Sequence, residues 1–306
     1  MKKILIYRNS SLGDFIVSLP AIKIIRQTNI NSKIYFCSWT TNLLGYVTPD
    51  KIPINKKLIN NFIFFRKGFL GTIKLLIKLK RMNFDKIYYL NEIVDYRKLK
   101  RDKIFFDMVG IKKKYGFQRI NYDYNKYNET YYLCKRVNPD GNFKISFDGI
   151  CKKTKYKNEN YITISMGGRN KKKNWKIKNW KILIIKILNY FPNLNLKFVG
   201  SKKELLHSNY ISKINPYRIK NHCGESIKEM FDMLEKSKLH ISHDDGTMHV
   251  ASIFSKSCIS IFGKYDKKGK WYTSNPNQIN IYPKRNINEI NPDSVFFYIK
   301  RLLKKK

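Results

Sequence analysis

The sequence predicts an α/β chain built from two doubly wound parallel-sheet domains. Short apolar runs recur along it, and several end directly in polar, glycine-bearing loops. Apolar residues at helical spacing follow several of those loops, the alternation that parallel sheets covered by helices on both faces require. A polar stretch near the middle then leaves two halves of about 150 residues, each large enough for one such unit.

Lys3–Tyr7 is the first apolar run. Arg8-Asn9-Ser10-Ser11-Leu12-Gly13-Asp14 follows as a polar turn, and residues 15–27 carry Ile16, Leu19, Ile22 and Ile25 at helical spacing. Further strands are expected at Lys33–Trp39, 86–90, 161–165 before Gly167-Gly168, 194–199 before Gly200, 239–242 before Asp244-Asp245-Gly246, and 258–262 before Gly263. Helices are expected over 179–190 and 226–237. Residues 121–160 differ, being rich in Tyr, Asn and Lys, with Pro139-Asp140-Gly141 as a turn and 154–160 almost wholly polar. The boundary is placed within 152–160, giving domains 1–155 and 156–306. No repeat of solenoid period is present.

The chain has 62 Lys and Arg against 22 Asp and Glu, a formal net charge of +40. With 42% hydrophobic and 14% aromatic residues it can build real cores, which excludes a disordered basic tail protein. Such a charge ordinarily signals nucleic acid, an anionic membrane or polyanionic substrates. Here 50 of the basic residues are Lys and the chain is saturated with Asn and Ile, the mixture AT-rich codons encode. The excess is shared, +18 over residues 1–150 and +22 over 151–306, so no tail carries it. The aromatics are not set out as stacking platforms and no nucleic-acid reader motif is present, so specific nucleic-acid binding is not expected. A basic polyanion- or nucleic-acid-binding protein stands as the alternative from another class.

Cys37, Cys134, Cys151, Cys223 and Cys258 are odd in number and never paired as C-x-x-C, which reads as reduced thiols in a cytoplasmic protein. The apolar stretch after Met1 is too short for a signal peptide, and no run approaches membrane-spanning length. Two basic amphipathic stretches could lie on an anionic membrane surface. Residues 67–82 put Leu70, Ile73, Leu76 and Ile77 on one face beside Lys74, Lys78, Lys80 and Arg81, and residues 293–306 end in Lys300-Arg301-Leu302-Leu303-Lys304-Lys305-Lys306. Either could instead pack its apolar face on its own domain.

Ligands of open α/β sheets bind beyond the carboxyl ends of the strands, so the loops there hold the candidate residues. The first delivers Ser10, Ser11, Gly13 and Asp14; Asp14 at a helix start is either a cap or a carboxylate open to ligand. The second is His243-Asp244-Asp245-Gly246-Thr247-Met248-His249, running into a helix whose first amides, with the Thr247 hydroxyl, suit a diphosphate. Its His and Asp spacing matches no closed zinc pattern, and no metal is expected. The third is Gly167-Gly168-Arg169-Asn170-Lys171-Lys172-Lys173-Asn174-Trp175, a glycine pair with nearby cations.

Together these loops, with Ser18-Leu19-Pro20-Ala21, Lys173-x-Trp175, Tyr115-Gly116-Phe117 and Asp244-x-Gly246-x-x-His249-x-Ala251 followed by Ile261-Phe262-Gly263, resemble the heptosyltransferases of glycosyltransferase family 9. The resemblance implies the GT-B architecture, two Rossmann-like domains facing across a cleft, the first for the acceptor and the second for a nucleotide-sugar donor. It implies inverting, metal-free and cofactor-free transfer of heptose, usually from ADP-heptose, to a lipopolysaccharide core, by a cytoplasmic enzyme peripheral on the inner membrane face. Carried onto this chain, Asp14 is the general base, with Ser10, Ser11 and Gly13 at the acceptor. Lys173 stabilises donor phosphates and Asp244 contacts the sugar or catalytic site. Gly167, Asp245, Gly246, Thr247 and His249 surround the donor, and Glu204 meets the ribose. Capsule or protein glycosylation with another nucleotide sugar is the alternative on the same fold. Two features depart from the family pattern. Asp245 stands where a small hydroxyl residue is usual, putting a second negative charge beside the phosphate site, and Gly263-Lys264-Tyr265-Asp266 lacks the usual proline and threonine.

Overall fold

The computed structural model of this 306-residue chain describes residues 1–93, 95–151, 158–168, 173–263 and 267–304. It divides into two compact units, Met1–Asp123 with Glu129–Lys152, and Tyr124–Asn128 with Lys153–Lys306. Most of the expected boundary at 152–160 lies outside the described residues. A single break between two continuous halves misses the short segment Tyr124–Asn128, which belongs with the second unit. Gly269, at φ +87°, passes so close beneath this segment that a Cβ there would sit 1.9 Å from the Tyr124 carbonyl oxygen, and Asn128 donates to the Ser274 hydroxyl at 3.0 Å.

In the first unit the order is β1 (Lys3–Tyr7), α1 (Leu12–Gln27), β2 (Lys33–Trp39), β3 (Asn61–Phe65), α2 (Phe69–Met82), β4 (Lys86–Tyr89), α3 (Tyr96–Val109), β5 (Lys113–Tyr115) and α4 (Glu129–Val137). Its sheet is parallel throughout, in the order β3-β2-β1-β4-β5. The second unit runs β6 (Tyr161–Ile164), α5 (Ile177–Tyr190), β7 (Asn195–Phe198), α6 (Leu205–Ser212), β8 (Ile219–Asn221), α7 (Ile227–Lys236), β9 (His240–His243), α8 (Gly246–Ile253), β10 (Cys258–Ile261), β11 (Gln278–Ile281) and α9 (Pro292–Lys304). Its parallel sheet is ordered β11-β10-β9-β6-β7-β8. The central strands β6, β9 and β10 are buried at every position, as a sheet covered on both faces demands, whereas the edge strand β11 is only half-buried.

Both strand orders reverse once, between β1 and β4 in the first sheet and between β6 and β9 in the second. At each reversal the crossover helices leave to opposite faces, opening a crevice beyond the carboxyl ends of those two strands. The four loops after β1, β4, β6 and β9 are therefore where this fold can receive ligands.

The two amphipathic stretches behave differently. Helix α9 buries Val295 and Ile299 in the second core, with Leu302 and Leu303 packed against it, and so lies on its own domain. Helix α2 buries Leu75 and Leu79 but leaves Leu70, Ile73 and Ile77 exposed, so the face formed by those residues is not the one that packs on its domain. At Gly116, φ is +85° and a Cβ would lie 2.2 Å from the Tyr89 carbonyl oxygen, so only glycine lets the end of β5 pass β4 this closely.

Candidate active site

At the edge of the first sheet, the turn after β1 enters α1 through a capping box. Ser11 is the N-cap, and its N–H and hydroxyl both donate to Asp14 Oδ2, at 3.1 and 2.6 Å. One carboxylate oxygen thus closes the helix start, while among the described residues Oδ1 accepts no hydrogen bond. Asp14 is both cap and half-exposed carboxylate. Behind it the buried Arg8 guanidinium donates from Nε to the Asp14 carbonyl at 2.9 Å and from Nη1 to the Leu90 carbonyl. The Asn9 N–H donates to Asn91 Oδ1 at 2.6 Å, tying the loop after β1 to that after β4. Burial lowers the Arg8 pKa, and the charge of Asp14 opposes that shift. The buried Arg136 of α4 braces the same loops, donating to the Asn91 carbonyl and the Tyr122 hydroxyl. Beside Asn9 a cavity of about 880 Å³ opens between α2 and α3, lined by Lys67, Arg97, Lys98, Lys100 and Arg101 together with Phe65, Ile104 and Met108.

The loops after β6 and β9 meet at the edge of the second sheet. Lys173 Nζ lies 3.0 Å from Asp244 Oδ2, both side chains being largely buried. Asp245 is the N-cap of α8: Oδ1 accepts from the Thr247 N–H at 2.8 Å, the Met248 N–H at 3.1 Å and the Thr247 hydroxyl at 2.6 Å. Its Oδ2 accepts from the Ser165 hydroxyl at 2.8 Å, joining the ends of β6 and β9. Glu204, just beyond β7, lies against Gly167, where a Cβ would come within 2.2 Å of Glu204 Cγ. Among the described residues Glu204 Oε2 and Asn174 Oδ1 are buried acceptors with no donor, an arrangement suited to a ligand rich in hydroxyls.

The two buried histidines here are scaffolding. Trp175 N–H donates to His243 Nε2 at 2.9 Å, which puts the ring proton on Nδ1, facing the Gly167 carbonyl at 3.4 Å. Burial drives the His243 pKa down to about 4 and that of His240 to about 3, so both rings are neutral at physiological pH. His240 takes the Thr163 hydroxyl on Nδ1 at 3.0 Å and gives Nε2–H to the Thr247 hydroxyl at 2.9 Å, which in turn donates to Asp245. His243→Ala is expected to cost about 1–3 kcal/mol, because the Trp175 N–H would be left buried and unpartnered. A urea midpoint equal to that of the wild type would remove His243 from this role.

Several expected positions need correcting. The Thr247 hydroxyl and amide are not open to an anion as expected, because Asp245 holds both, and the Lys173 ammonium is paired with Asp244. Ser10 is fully buried with its hydroxyl on Ser38 at 3.3 Å and its carbonyl accepting from the Tyr46 hydroxyl at 3.0 Å, so it shapes the loop from within. His249 is buried in the first turn of α8, its ring 6.5 Å from that of Trp271. Arg169-Asn170-Lys171-Lys172 and Lys264-Tyr265-Asp266 lie outside the described residues. Arg8, Asn91 and Ser165 carry parts of both edges and have no role in the sequence reading, although each stands within two residues of a strand end. Among the described residues no group of three or more His, Cys, Asp or Glu converges as metal ligands.

A family model, glycosyltransferase family 9 (heptosyltransferase), matches residues 63–291. The chain belongs to this family. A lipooligosaccharide heptosyltransferase 2 of Campylobacter jejuni is 23% identical over 300 residues, covering 91% of this chain and 87% of that protein. A family 9 glycosyltransferase from Veillonella parvula superposes with a TM-score of 0.76 at 14% identity, over 100% of this chain and 98% of that one. The E. coli ADP-heptose LPS heptosyltransferase II gives 0.72 at 14% identity, over 100% and 99%. These likenesses carry the GT-B fold, and membership makes the chain a glycosyltransferase. Burial pushes the Asp245 carboxyl up to about 7 in spite of the hydrogen bonds it accepts.

Proposed function

We propose that this family 9 enzyme transfers heptose, or a closely related sugar, from a nucleotide-activated donor, ADP-heptose first among them, to a lipopolysaccharide-type core, with inversion and without a metal. The observation that carries the reading is the second-sheet reversal point: Lys173 paired with Asp244, the start of α8, and the unsatisfied acceptors of Glu204 and Asn174 gather at one edge. A nucleoside diphosphate sugar has the matching parts. Its diphosphate takes Lys173 and the Gly246 amide, and its hydroxyls take Asp244 and Glu204. The names of the Campylobacter and E. coli relatives point to the same donor and acceptor classes.

In this mechanism the acceptor hydroxyl gives its proton to Asp14 Oδ1 as its oxygen attacks the anomeric carbon, and the nucleoside diphosphate departs from the opposite face. Charge builds on the departing phosphate, where the Lys173 ammonium and the Gly246 N–H lower its cost. The cationic groove between α2 and α3 takes the acidic portion of the acceptor. The reaction takes place at an anionic membrane face on the cytoplasmic side.

The test is thermal stabilisation by a panel of nucleoside diphosphates and their sugars at moderate salt, where a ligand at about 100 times its Kd adds roughly 2.7 kcal/mol. ADP and ADP-heptose are expected to stabilise the protein and other nucleotides not to. Lys173→Ala is expected to weaken ADP by about 1–3 kcal/mol, the range for a charge-assisted bond. Preference for another nucleotide overturns the donor assignment, and an unchanged ADP affinity in Lys173→Ala removes that lysine from the site.

A further inference from the structure

Helix α2 carries more apolar residues than one face can bury. Leu75 and Leu79, 3% and 0% exposed, pack into the first core. Phe69, Leu70, Ile73 and Ile77 are 80%, 71%, 37% and 46% exposed, and at about 100° per residue they fall on one arc turned away from that core. Lys74, Lys78, Lys80 and Arg81 interleave with this arc or border it, Arg66 and Lys67 precede the helix, and α2 contains no acidic residue. The other basic amphipathic helix, α9, shows no such arc, since its apolar positions are largely spent on the core.

We propose that α2 docks this protein on an anionic lipid bilayer, lying in the surface with Phe69, Leu70, Ile73 and Ile77 among the acyl chain ends and its cations among the headgroups. A contiguous exposed apolar face rimmed by charge marks an interaction surface, and the charge selects the occupant. A second copy of the chain would bring an equally cationic helix against this one, since a two-fold interface pairs a patch with itself. Nucleic acid would answer the lysines and leave the apolar arc in water. An anionic leaflet answers both. The helix has 14 residues, and no described helix is long and apolar enough to cross a membrane, so α2 lies on the surface. Gly68, Thr72 and Leu75, on another side of α2, line the groove toward α3, which docking would bring to headgroup level. That consequence rests on the acceptor reading above; docking itself does not.

The experiment is sedimentation of the full chain with phosphatidylcholine vesicles, with and without phosphatidylglycerol, at physiological ionic strength. Binding is expected only with phosphatidylglycerol. The quadruple variant Phe69→Ser, Leu70→Ser, Ile73→Ser, Ile77→Ser should need about tenfold or more lipid for half-binding, because binding scales with apolar area inserted. Its melting temperature and stabilisation by ADP should stay unchanged, which separates a failure of docking from a failure of folding or of the donor reading. Lys74→Gln with Lys78→Gln should weaken binding about fivefold per charge. Wild-type affinity in the quadruple variant would reduce the attraction to net charge alone and overturn the proposal. So would a wild-type dimer in light scattering that the quadruple variant converts to monomer, which would make a second copy the occupant.

Discussion

Asp14→Asn is expected to lower kcat by about two to four orders of magnitude, the range for loss of a general base, with ADP affinity unchanged and stability lowered by less than about 1 kcal/mol. The separation follows from the division of labour between the two carboxylate oxygens. Oδ2 is held by the Ser11 N–H and hydroxyl, and an amide oxygen in its place accepts the same bonds. Asn therefore keeps the capping box, and the Arg8 contacts to the Asp14 and Leu90 carbonyls are untouched. What Asn cannot do is take a proton on the second oxygen. Asp14→Ala removes the base and the cap together, so it should match the Asn variant in rate and add a loss of stability of about 1 kcal/mol. The measurement is kcat for both variants beside a urea titration. Transfer by Asp14→Asn within tenfold of wild type would leave Asp14 a helix cap, and the base would have to be sought elsewhere on the same edge.

How far the sequence could lead depended on whether a feature was local. Central strands were legible because burial on both faces makes them continuous apolar runs: Lys33–Trp39 was found to the residue, and the runs at 161–165 and 258–262 hold β6 and β10. Strand β8 has only three residues and β11 is half-buried at every position, so neither leaves an apolar run to read. The site motifs were legible because each follows a strand directly. Their longer-range bonding was not: that Ser10 turns inward to Ser38 of β2 and that Asp245 is met by Ser165, just beyond β6, depend on partners distant in sequence. At α2 helical spacing left two readings open, and tertiary contacts decided between them by burying Leu75 and Leu79 while Leu70, Ile73 and Ile77 stay exposed.

Replacing Asp245 with Asn should produce the largest change in donor binding, and in the favourable direction. In the wild type the carboxylate occupies the positive end of α8, holding two helix amides and the Thr247 and Ser165 hydroxyls. Burial sets its pKa at about 7, so it is largely neutral below that pH and anionic above it. A like charge at about 5 Å in a medium of effective dielectric about 20 costs on the order of 3 kcal/mol. ADP affinity of the wild type should therefore fall as pH rises through 7, by at most about tenfold per unit. Asp245→Asn, whose amide oxygen keeps the helix bonds and whose NH₂ can donate to Ser165, should bind ADP with no such dependence. It should match the wild type near pH 6 and exceed it by up to about tenfold at pH 8. Stability carries an independent sign. The folded pKa of about 7 lies above the ordinary aspartate value of 3.8, so the stability that protonated Asp245 contributes is fully present below about pH 4 and is lost as pH rises from there through 7. The wild type should lose up to about 1.4 kcal/mol per pH unit across that window relative to the Asn variant. Calorimetric titration with ADP and urea unfolding at pH 6 and 8 measure both. Parallel pH profiles for the two proteins would mean that the acid at position 245 does not titrate where ADP binds.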